Sequence, residues 1–256
     1  MEDIATRGGR EAGGIGVVLV TGGARRVGAE IARTLHAAGA SVAVTYRNSA
    51  ADAQALCSAL ESQRPGSALA LQATLGDAQA LPALVNAVVE RFGRLDVLVN
   101  NASNFYPTPL GAITDAAWND LTESNLKAPI FLAQAAASAL RASRGVIINM
   151  VDIHAKRPLK DHIVYCAAKA GLAMVTFALA RELGPEVRVN GIAPGPIMWP
   201  EQGMTEQLKH QIVANTALKR AGSPRDVAGL VLYLIRDATY LTGQIIAVDG
   251  GRSIGW

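Results

Sequence analysis

The sequence predicts an α/β domain in which helices cover both faces of a parallel sheet. Short apolar runs alternate with longer helical patterns along the chain, and this alternation is typical of βαβ units. The runs are continuously apolar, as expected for strands that are buried on both faces. The chain has 256 residues, of which 50% are hydrophobic and 18% charged, so it fits one large domain with a sizeable core.

The individual elements follow from these runs and from the residues that end them. The first strand is predicted at Val17–Val20, and the helix that follows at Ala29–Ala38 ends at Gly39, a typical terminator. Further strands are predicted at Ser41–Thr45, Ala68–Ala73, Asp96–Asn100, Val146–Val151, Val187–Val189 and Ile245–Val248. Further helices are predicted at Ala50–Ser62, Ala80–Phe92 and Asp115–Leu140, and another begins near Tyr165.

Two segments stand outside this pattern. Residues 1–15 are rich in glycine and arginine and are predicted to be a flexible lead-in to a single domain at 16–256. A long irregular stretch at about 193–217 is the expected substrate loop, since loops of this length in a domain are often functional.

Composition excludes several classes of partner. The net charge of +3 is spread without a basic run, which argues against nucleic acid and suits anionic small molecules. The two cysteines lack metal-ligand spacing, so no metal is expected and a reducing compartment is indicated. No apolar stretch is expected to approach the length of a membrane span, and residues 1–15 lack the apolar core of a signal peptide. The predicted location is the cytoplasm.

The turn after the first strand, Thr21 to Gly28, is the first candidate site. Glycines between a strand and a helix let backbone N–H groups approach a pyrophosphate, as in Rossmann-like dinucleotide-binding domains. An ordinary tight turn would also use glycine, so the strand before and the helix after carry the interpretation.

The end of the second strand indicates which dinucleotide is bound. An NAD site usually has an acidic residue here, whereas this chain has Arg47 in the stretch Tyr46-Arg47-Asn48-Ser49. A guanidinium pairs with the 2′-phosphate of NADPH, and Arg26 could reach the same group. The alternative is that both arginines only face solvent.

Tyr165 and Lys169 lie four residues apart at the start of an apolar helix and therefore share one face. We expect the ammonium to lower the pKa of the phenol and make it a usable proton donor. Asn125 lies four residues before Pro129, so its main-chain carbonyl is expected to lose a helical partner and hold a water. Alternatively, Pro129 only bends a core helix.

Together, the Thr21–Gly28 turn, the Asn100-Asn101-Ala102 run, Asn125, the Tyr165/Lys169 pair and Pro194-Gly195 resemble the short-chain dehydrogenases/reductases from about Gly16 to Gly251. The resemblance implies the strand order 3-2-1-4-5-6-7, an NADPH-binding reductase domain and, by analogy, a homotetramer. In that family the Tyr protonates the substrate, the Lys holds the nicotinamide ribose, and the Asn carbonyl carries a relay water.

Three departures from the common pattern resemble the pteridine reductase branch. Arg26 replaces a glycine, Ser103 follows Asn101-Ala102, and Asp152 stands where a serine is usual. Two positions differ from that branch as well: Thr74 replaces an acid that contacts adenine, and Arg47 comes one position early.

The resemblance implies a complete set of site residues. The catalytic residues are Asp152, Tyr165, Lys169 and Asn125. The cofactor-binding residues are Gly22, Arg26, Val27, Tyr46, Arg47, Asn48, Ser49, Thr74, Leu75, Asn101, Ala102, Ser103, Tyr165, Lys169, Pro194, Gly195 and Ile197. The substrate-binding residues are Ser103, Phe105, Asp152, Tyr165, Met198 and Trp199, of which Phe105 stacks on the pterin and Met198 and Trp199 close the pocket. Without the resemblance, Phe105 is more often interpreted as a core residue.

Three functions compete. The first is NADPH-dependent reduction of a pterin by hydride transfer, with protonation assisted by Tyr165 and Asp152. The expected substrate is a dihydropterin, with an oxidised pterin or dihydrofolate as alternatives. The second is a carbonyl reductase acting on a ketone, against which Asp152 speaks because ketone reduction in this family uses a hydroxyl at that position. The third is a nucleotide sensor without catalysis, which the intact Tyr165, Lys169 and Asn125 oppose.

Overall fold

A seven-stranded parallel sheet in the order β3-β2-β1-β4-β5-β6-β7 organises the protein. The computed structural model describes residues 14–199 and 204–254. The strands are β1 (Val17–Val20), β2 (Ser41–Tyr46), β3 (Ala68–Gln72), β4 (Val97–Asn100), β5 (Val146–Met150), β6 (Arg188–Pro194) and β7 (Ile245–Val248). The order confirms the one implied by the family resemblance, with neighbours in parallel register, for example Val18 opposite Val42 and Val97.

Helices lie on both faces of the sheet. They are α1 (Arg26–Ala37), α2 (Ala50–Gln63), α3 (Leu81–Phe92), α4 (Asp115–Thr122), α5 (Ala128–Ser143), α6 (Ile163–Leu183), α7 (Glu206–Ala214) and α8 (Pro224–Arg236). A π-helical turn, Glu123–Lys127, joins α4 to α5, and a short 3-10 turn, Ile153–Ala155, follows β5. The α/β architecture predicted from the sequence is therefore confirmed.

The alternation of side chains along β1 produces one core on each face. Val18 and Val20 pack with residues of α1, α2 and α8, whereas Val17 and Leu19 pack with residues of α3, α5 and α6. Because both faces are dry, every position of β1 is apolar. Ile15, assigned to the lead-in, is buried in the first core, and the rest of that prediction, residues 1–13, lies outside the described residues.

Several predicted boundaries needed correction. The strand predicted at Val187–Val189 runs from Arg188 to Pro194, because its backbone pairs with both β5 and β7. The predicted loop at 193–217 contains α7, which Thr205 caps by accepting a hydrogen bond from the Leu208 N–H. Positions 200–203 of that loop lie outside the described residues.

The expectation that no apolar stretch reaches the length of a membrane span is wrong for α6. Among the described helices, this 21-residue helix alone passes by length and composition. Those two criteria are weak evidence, because core helices also meet them. Lys169 and Tyr165 on α6 are buried, and α6 packs on β6 and α4, so one face of this helix belongs to the protein core.

Candidate functional site

A continuous cleft of about 1120 Å³ lies where the parallel strands end. Its walls include residues that directly follow strands, such as Arg47 after β2, Asn101 after β4 and Val151 after β5. The carboxyl edge of an open α/β sheet is the usual place for ligands. The volume exceeds the roughly 300–1,000 Å³ of a typical single-ligand pocket, so there is room for a dinucleotide and a second molecule.

Every residue in the sequence-predicted set except Asn125 lines this cleft. These residues therefore lie together at one cleft, and the roles predicted for them stay predictions. We call the part around the turns after β1 and β2 the cofactor half, and the part around the ends of β4 and β5 the substrate half, after the ligands that the sequence predicts for them.

Backbone packing defines the turn after β1. A Cβ at Gly28 would lie 2.4 Å from the Gly22 carbonyl oxygen and 2.6 Å from Asn101 Nδ2. The Asn101 amide donates to the carbonyls of Thr21 and Gly22 at 2.9 and 3.1 Å, which ties β4 to the turn. Only glycine fits at position 28, because any side chain would separate the turn from α1.

Arg26 adopts an unusual backbone conformation in this turn. Its φ of +54° lies in the left-handed region, which costs a non-glycine residue about 1–2 kcal/mol. Its guanidinium donates a hydrogen bond to the Trp199 carbonyl at 3.2 Å. The side chain thus connects the turn after β1 with the loop after β6.

The donors in the cofactor half fit a phosphate-bearing dinucleotide. Arg25, Arg26 and Arg47 all line the cleft, and within the described residues the first turn of α1 carries no acidic side chain. Helix N-termini and guanidinium groups are the usual ligands for phosphate. Arg47 is half-exposed, and its Nη1 lies 3.8 Å from Asp120 Oδ1.

The substrate half is centred on Asp152 and Tyr165. The Tyr165 hydroxyl donates to Asp152 Oδ2 at 2.7 Å, while Asp152 Oδ1 accepts from the His154 N–H at 2.8 Å. Lys169 Nζ donates to the Met150 carbonyl at 2.8 Å and lies 5.7 Å from the Tyr165 ring centroid. The strand end at β5 and the first turns of α6 therefore bring an acid, a phenol and an ammonium together.

Electrostatics in this half differ from the expectation based on the sequence. Burial and the neighbouring Asp152 carboxylate raise the pKa of Tyr165 well above its ordinary value of 10. Burial also lowers the pKa of Lys169 to about 8. The expected lowering of the Tyr165 pKa by Lys169 is thus wrong for this arrangement, because desolvation and the carboxylate outweigh the ammonium. Tyr165 is held as a neutral O–H donor.

Phe105 is a wall of the substrate half. It is 45% exposed, so it is no core residue, and its ring stacks on His162 with centroids 4.8 Å apart. It also meets Tyr165 edge-on at 4.9 Å. Ser103, Met198 and Trp199 line the same cleft.

Asn125 differs from its predicted setting. The helix expected from Asp115 to Leu140 is interrupted by the π-helical turn Glu123–Lys127, in which the Ala128 N–H reaches back to the Glu123 carbonyl. Pro129 is accommodated in the first turn of α5. The Asn125 side chain is buried and donates to the carbonyls of Asn104 and Leu121. Its role in a water relay stays a prediction.

Sequence reasoning missed several residues that line the cleft: Asn104, Asp120, Glu123, His154 and His162. Asp120 accepts hydrogen bonds from Asn104 Nδ2 at 2.8 Å and from the Tyr106 hydroxyl at 3.0 Å. The signal for Asp120 was weak, because a single acid on a helix is usually solvated. Within the described residues, no cluster of three His, Cys, Asp or Glu side chains could hold a metal.

Comparison with known proteins agrees with this geometry. Residues 22–253 match the family described as Enoyl-(Acyl carrier protein) reductase. The chain is 37% identical to Pteridine reductase 1 of Leishmania tarentolae in an alignment of 281 positions. This alignment covers 93% of this chain and 96% of that protein. It is 36% identical over 237 residues to the 3-oxoacyl-acyl-carrier-protein reductase FabG of Staphylococcus aureus (strain Mu50), with 91% and 96% covered.

A third relative is the Granaticin polyketide synthase putative ketoacyl reductase 2 of Streptomyces violaceoruber, which is 36% identical over 245 residues, with 93% and 96% covered. These similarities extend over nearly the whole chain and include proteins named for reducing different substrates. Together with the family match, they show that this chain is an oxidoreductase and that it belongs to the short-chain dehydrogenase/reductase family.

Proposed function

We propose that this protein uses NADPH to reduce a pterin. The proposed substrate is a dihydropterin, with an oxidised pterin or dihydrofolate as further candidates. The observation that carries the proposal is the 2.7 Å hydrogen bond from the Tyr165 hydroxyl to Asp152. A carboxylate in this place suits a substrate with ring N–H groups, which donate hydrogen bonds, better than it suits a ketone oxygen, which only accepts them. The match to Pteridine reductase 1 supports the same assignment.

A nicotinamide cofactor follows from the family, and NADPH is our choice because of Arg47 and Arg26. Both guanidinium groups line the cofactor half, where a 2′-phosphate would form charge-assisted hydrogen bonds. The residues proposed to hold the dinucleotide are the seventeen cofactor residues predicted from the sequence. When bound, a reduced nicotinamide supplies the hydride.

Proton delivery falls to the chain's own residues. Tyr165 keeps its proton at neutral pH, because burial and Asp152 raise its pKa, so it can donate at a ring nitrogen as charge develops there. Asp152 orients the Tyr165 hydroxyl and can itself accept from a pterin N–H. Lys169 is fixed by the Met150 carbonyl and remains cationic below a pH of about 8.

Recognition of a flat ring fits the remaining walls of the substrate half. Phe105 has one face covered by His162 and is still 45% exposed, so ring surface is available for stacking. Ser103 supplies a hydroxyl, and Met198 and Trp199 contribute further lining of the same cleft.

A carbonyl reductase acting on a ketone or ketoacyl group is the second candidate. The 36% identity to a 3-oxoacyl-acyl-carrier-protein reductase favours it. Asp152 opposes it, since a carboxylate near a ketone oxygen would repel the negative charge that develops there.

A homotetramer in the cytoplasm, without nucleic-acid or membrane partners, is part of the proposal. Trp118, Phe131, Met174 and Phe177 on α4, α5 and α6 are exposed, and such apolar side chains often mark contacts between copies. Both cysteines are free thiols, as expected in a reducing compartment. Sedimentation of the purified protein tests the assembly.

The decisive experiment is NADPH oxidation with matched substrates. Dihydrobiopterin, dihydrofolate, a 3-oxoacyl thioester and a simple ketone are compared at equal concentrations in the wild type and in Asp152→Ser. We expect the wild type to favour the pterins by at least about tenfold in kcat/KM, and the serine variant to lose that advantage. A wild type that turns over the thioester faster than any pterin would overturn the assignment.

A further inference from the structure

Asp120 lies where the cofactor half and the substrate half of the cleft meet. It is on α4 and lines the cleft. Oδ1 accepts from Asn104 Nδ2 at 2.8 Å, and Oδ2 accepts from the Tyr106 hydroxyl at 3.0 Å. Oδ1 also lies 3.8 Å from Arg47 Nη1. One carboxylate therefore contacts both halves.

On the substrate side, Asp120 holds the segment that presents Phe105. Asn104 and Tyr106 flank Phe105 in the sequence, so the two hydrogen bonds fix the backbone on either side of that residue. Asn104 is held from the other direction as well, since its carbonyl accepts from Asn125 Nδ2 at 2.9 Å. Because the residues on both sides of Phe105 are held by hydrogen bonds, the segment presents the Phe105 ring in a defined orientation.

On the cofactor side, Asp120 reduces the net positive charge that Arg47 presents to a phosphate. A guanidinium that already faces a carboxylate presents less net positive charge to an incoming anion. Both side chains are about half exposed, at 57% for Arg47 and 43% for Asp120, so solvent screens the effect and keeps it modest. The carboxylate competes with a 2′-phosphate for the same donor.

We propose that Asp120 is a positioning and specificity residue: it limits the preference for NADPH over NADH through Arg47 and at the same time fixes the Phe105 segment. The proposal rests on the NADPH-dependent function proposed above. It predicts that one side chain affects cofactor selection and substrate KM by separable routes, charge in the first case and hydrogen bonding in the second.

Asp120→Asn separates these routes, because the amide loses the charge and can still meet both partners. Its oxygen accepts from Asn104, and its N–H donates to the Tyr106 hydroxyl oxygen. Titration of the purified protein by cofactor fluorescence should show NADPH binding strengthened about twofold to fivefold, the range that exposed ion pairs support. NADH binding should be unchanged. Equal changes for both cofactors, or weaker NADPH binding, would overturn the proposal.

Arg47→Ala provides the matched background. In this variant, the further change Asp120→Asn should leave NADPH affinity within twofold, because the charge acts through the missing guanidinium. An undiminished effect of Asp120→Asn there contradicts the proposal. If the wild type binds both cofactors equally and Arg47→Ala alters neither affinity, the proposed NADPH preference fails and Asp120 loses its cofactor role with it. A wild-type preference combined with an unselective Asp120→Asn refutes the Asp120 role alone.

Asp120→Ala tests the substrate side. Loss of two hydrogen bonds to the Phe105 segment should raise the KM for a dihydropterin about fivefold to tenfold with kcat nearly unchanged. Asp120→Asn should restore KM to within about twofold of the wild type. A KM that stays normal in Asp120→Ala, or one that Asp120→Asn fails to restore, would show that Asp120 does not position this segment.

Discussion

The two halves of the cleft are built differently. In the cofactor half, the main constraint is backbone packing: Gly28 touches the Gly22 carbonyl so closely that no side chain fits. In the substrate half, the constraint is side-chain chemistry, with the buried Tyr165 and Lys169 arranged around Asp152. A site formed by backbone packing suits a ligand that is the same in all relatives. Side chains, in contrast, can be substituted without disturbing the sheet. Differences in substrate among relatives of similar identity are therefore expected to arise in the substrate half.

Asp152→Asn should produce the largest effect and confine it to the substrate half. Asparagine keeps the shape but removes the negative charge that orients the Tyr165 hydroxyl, so proton donation by Tyr165 is impaired. We expect kcat for a dihydropterin to fall about 100-fold, the usual scale for the loss of acid–base assistance. NADPH affinity, measured by fluorescence titration, should remain within twofold of the wild type. Full turnover in the variant would make Asp152 structural and remove the main support for pterin reduction.

Gly28→Ala should break the cofactor half instead. The new Cβ would overlap the Gly22 carbonyl oxygen at 2.4 Å, and we expect NADPH affinity to fall by at least about tenfold, together with a lower melting temperature. Gly229→Ala on α8 is the matched control, since nothing lies within 4 Å of its added Cβ. That variant should be stabilised by up to about 1 kcal/mol. Normal NADPH binding in Gly28→Ala would show that the turn is not the cradle.

Phe105→Ala tests whether the exposed ring serves the substrate. We expect the KM for a dihydropterin to rise about tenfold, because stacking and buried aromatic area are lost, while NADPH affinity holds. Phe92→Ala on α3 is the control, since Phe92 packs against the core and does not line the cleft. It should lower the melting temperature without changing KM. The reverse pattern in the two variants would assign Phe105 to structure.

The smallest expected effect is the pH dependence of Lys169. Burial lowers its pKa from an ordinary 10.5 to about 8, so the side chain is cationic below pH 8 and neutral above it. If the cation is needed, kcat/KM should fall as the pH rises through about 8. Between pH 8 and 10.5 the unfolded lysine holds a proton that the folded one has lost, so this group makes the fold more stable as the pH rises. A kcat/KM that is flat from pH 7 to 9.5 would show that the Lys169 cation is not needed for activity.

How far the sequence predicted the structure follows the same division. Features that depend on local chain chemistry were readable: Arg47 directly follows β2, and the Thr21–Gly28 segment follows β1 and leads into α1, as the residue pattern indicates. Features that depend on contacts between distant elements were not. The pKa of Tyr165 is set by its burial and by Asp152, thirteen residues away, and the Arg47–Asp120 pair joins the residue that follows β2 to a residue of α4. The π-helical turn at Asn125 was missed because Pro129 suggested a simple kink.

The left-handed backbone at Arg26 has a consequence for how this enzyme can be improved. Glycine at position 26 would relieve about 1 kcal/mol of strain, so the substitution should raise thermal stability. The same change would delete the guanidinium that reaches the Trp199 carbonyl and separate the cofactor turn from the loop over the substrate half. Selection for heat resistance therefore favours glycine at this position, whereas selection for turnover favours arginine. Position 26 is one at which a thermostabilised variant would trade activity for durability.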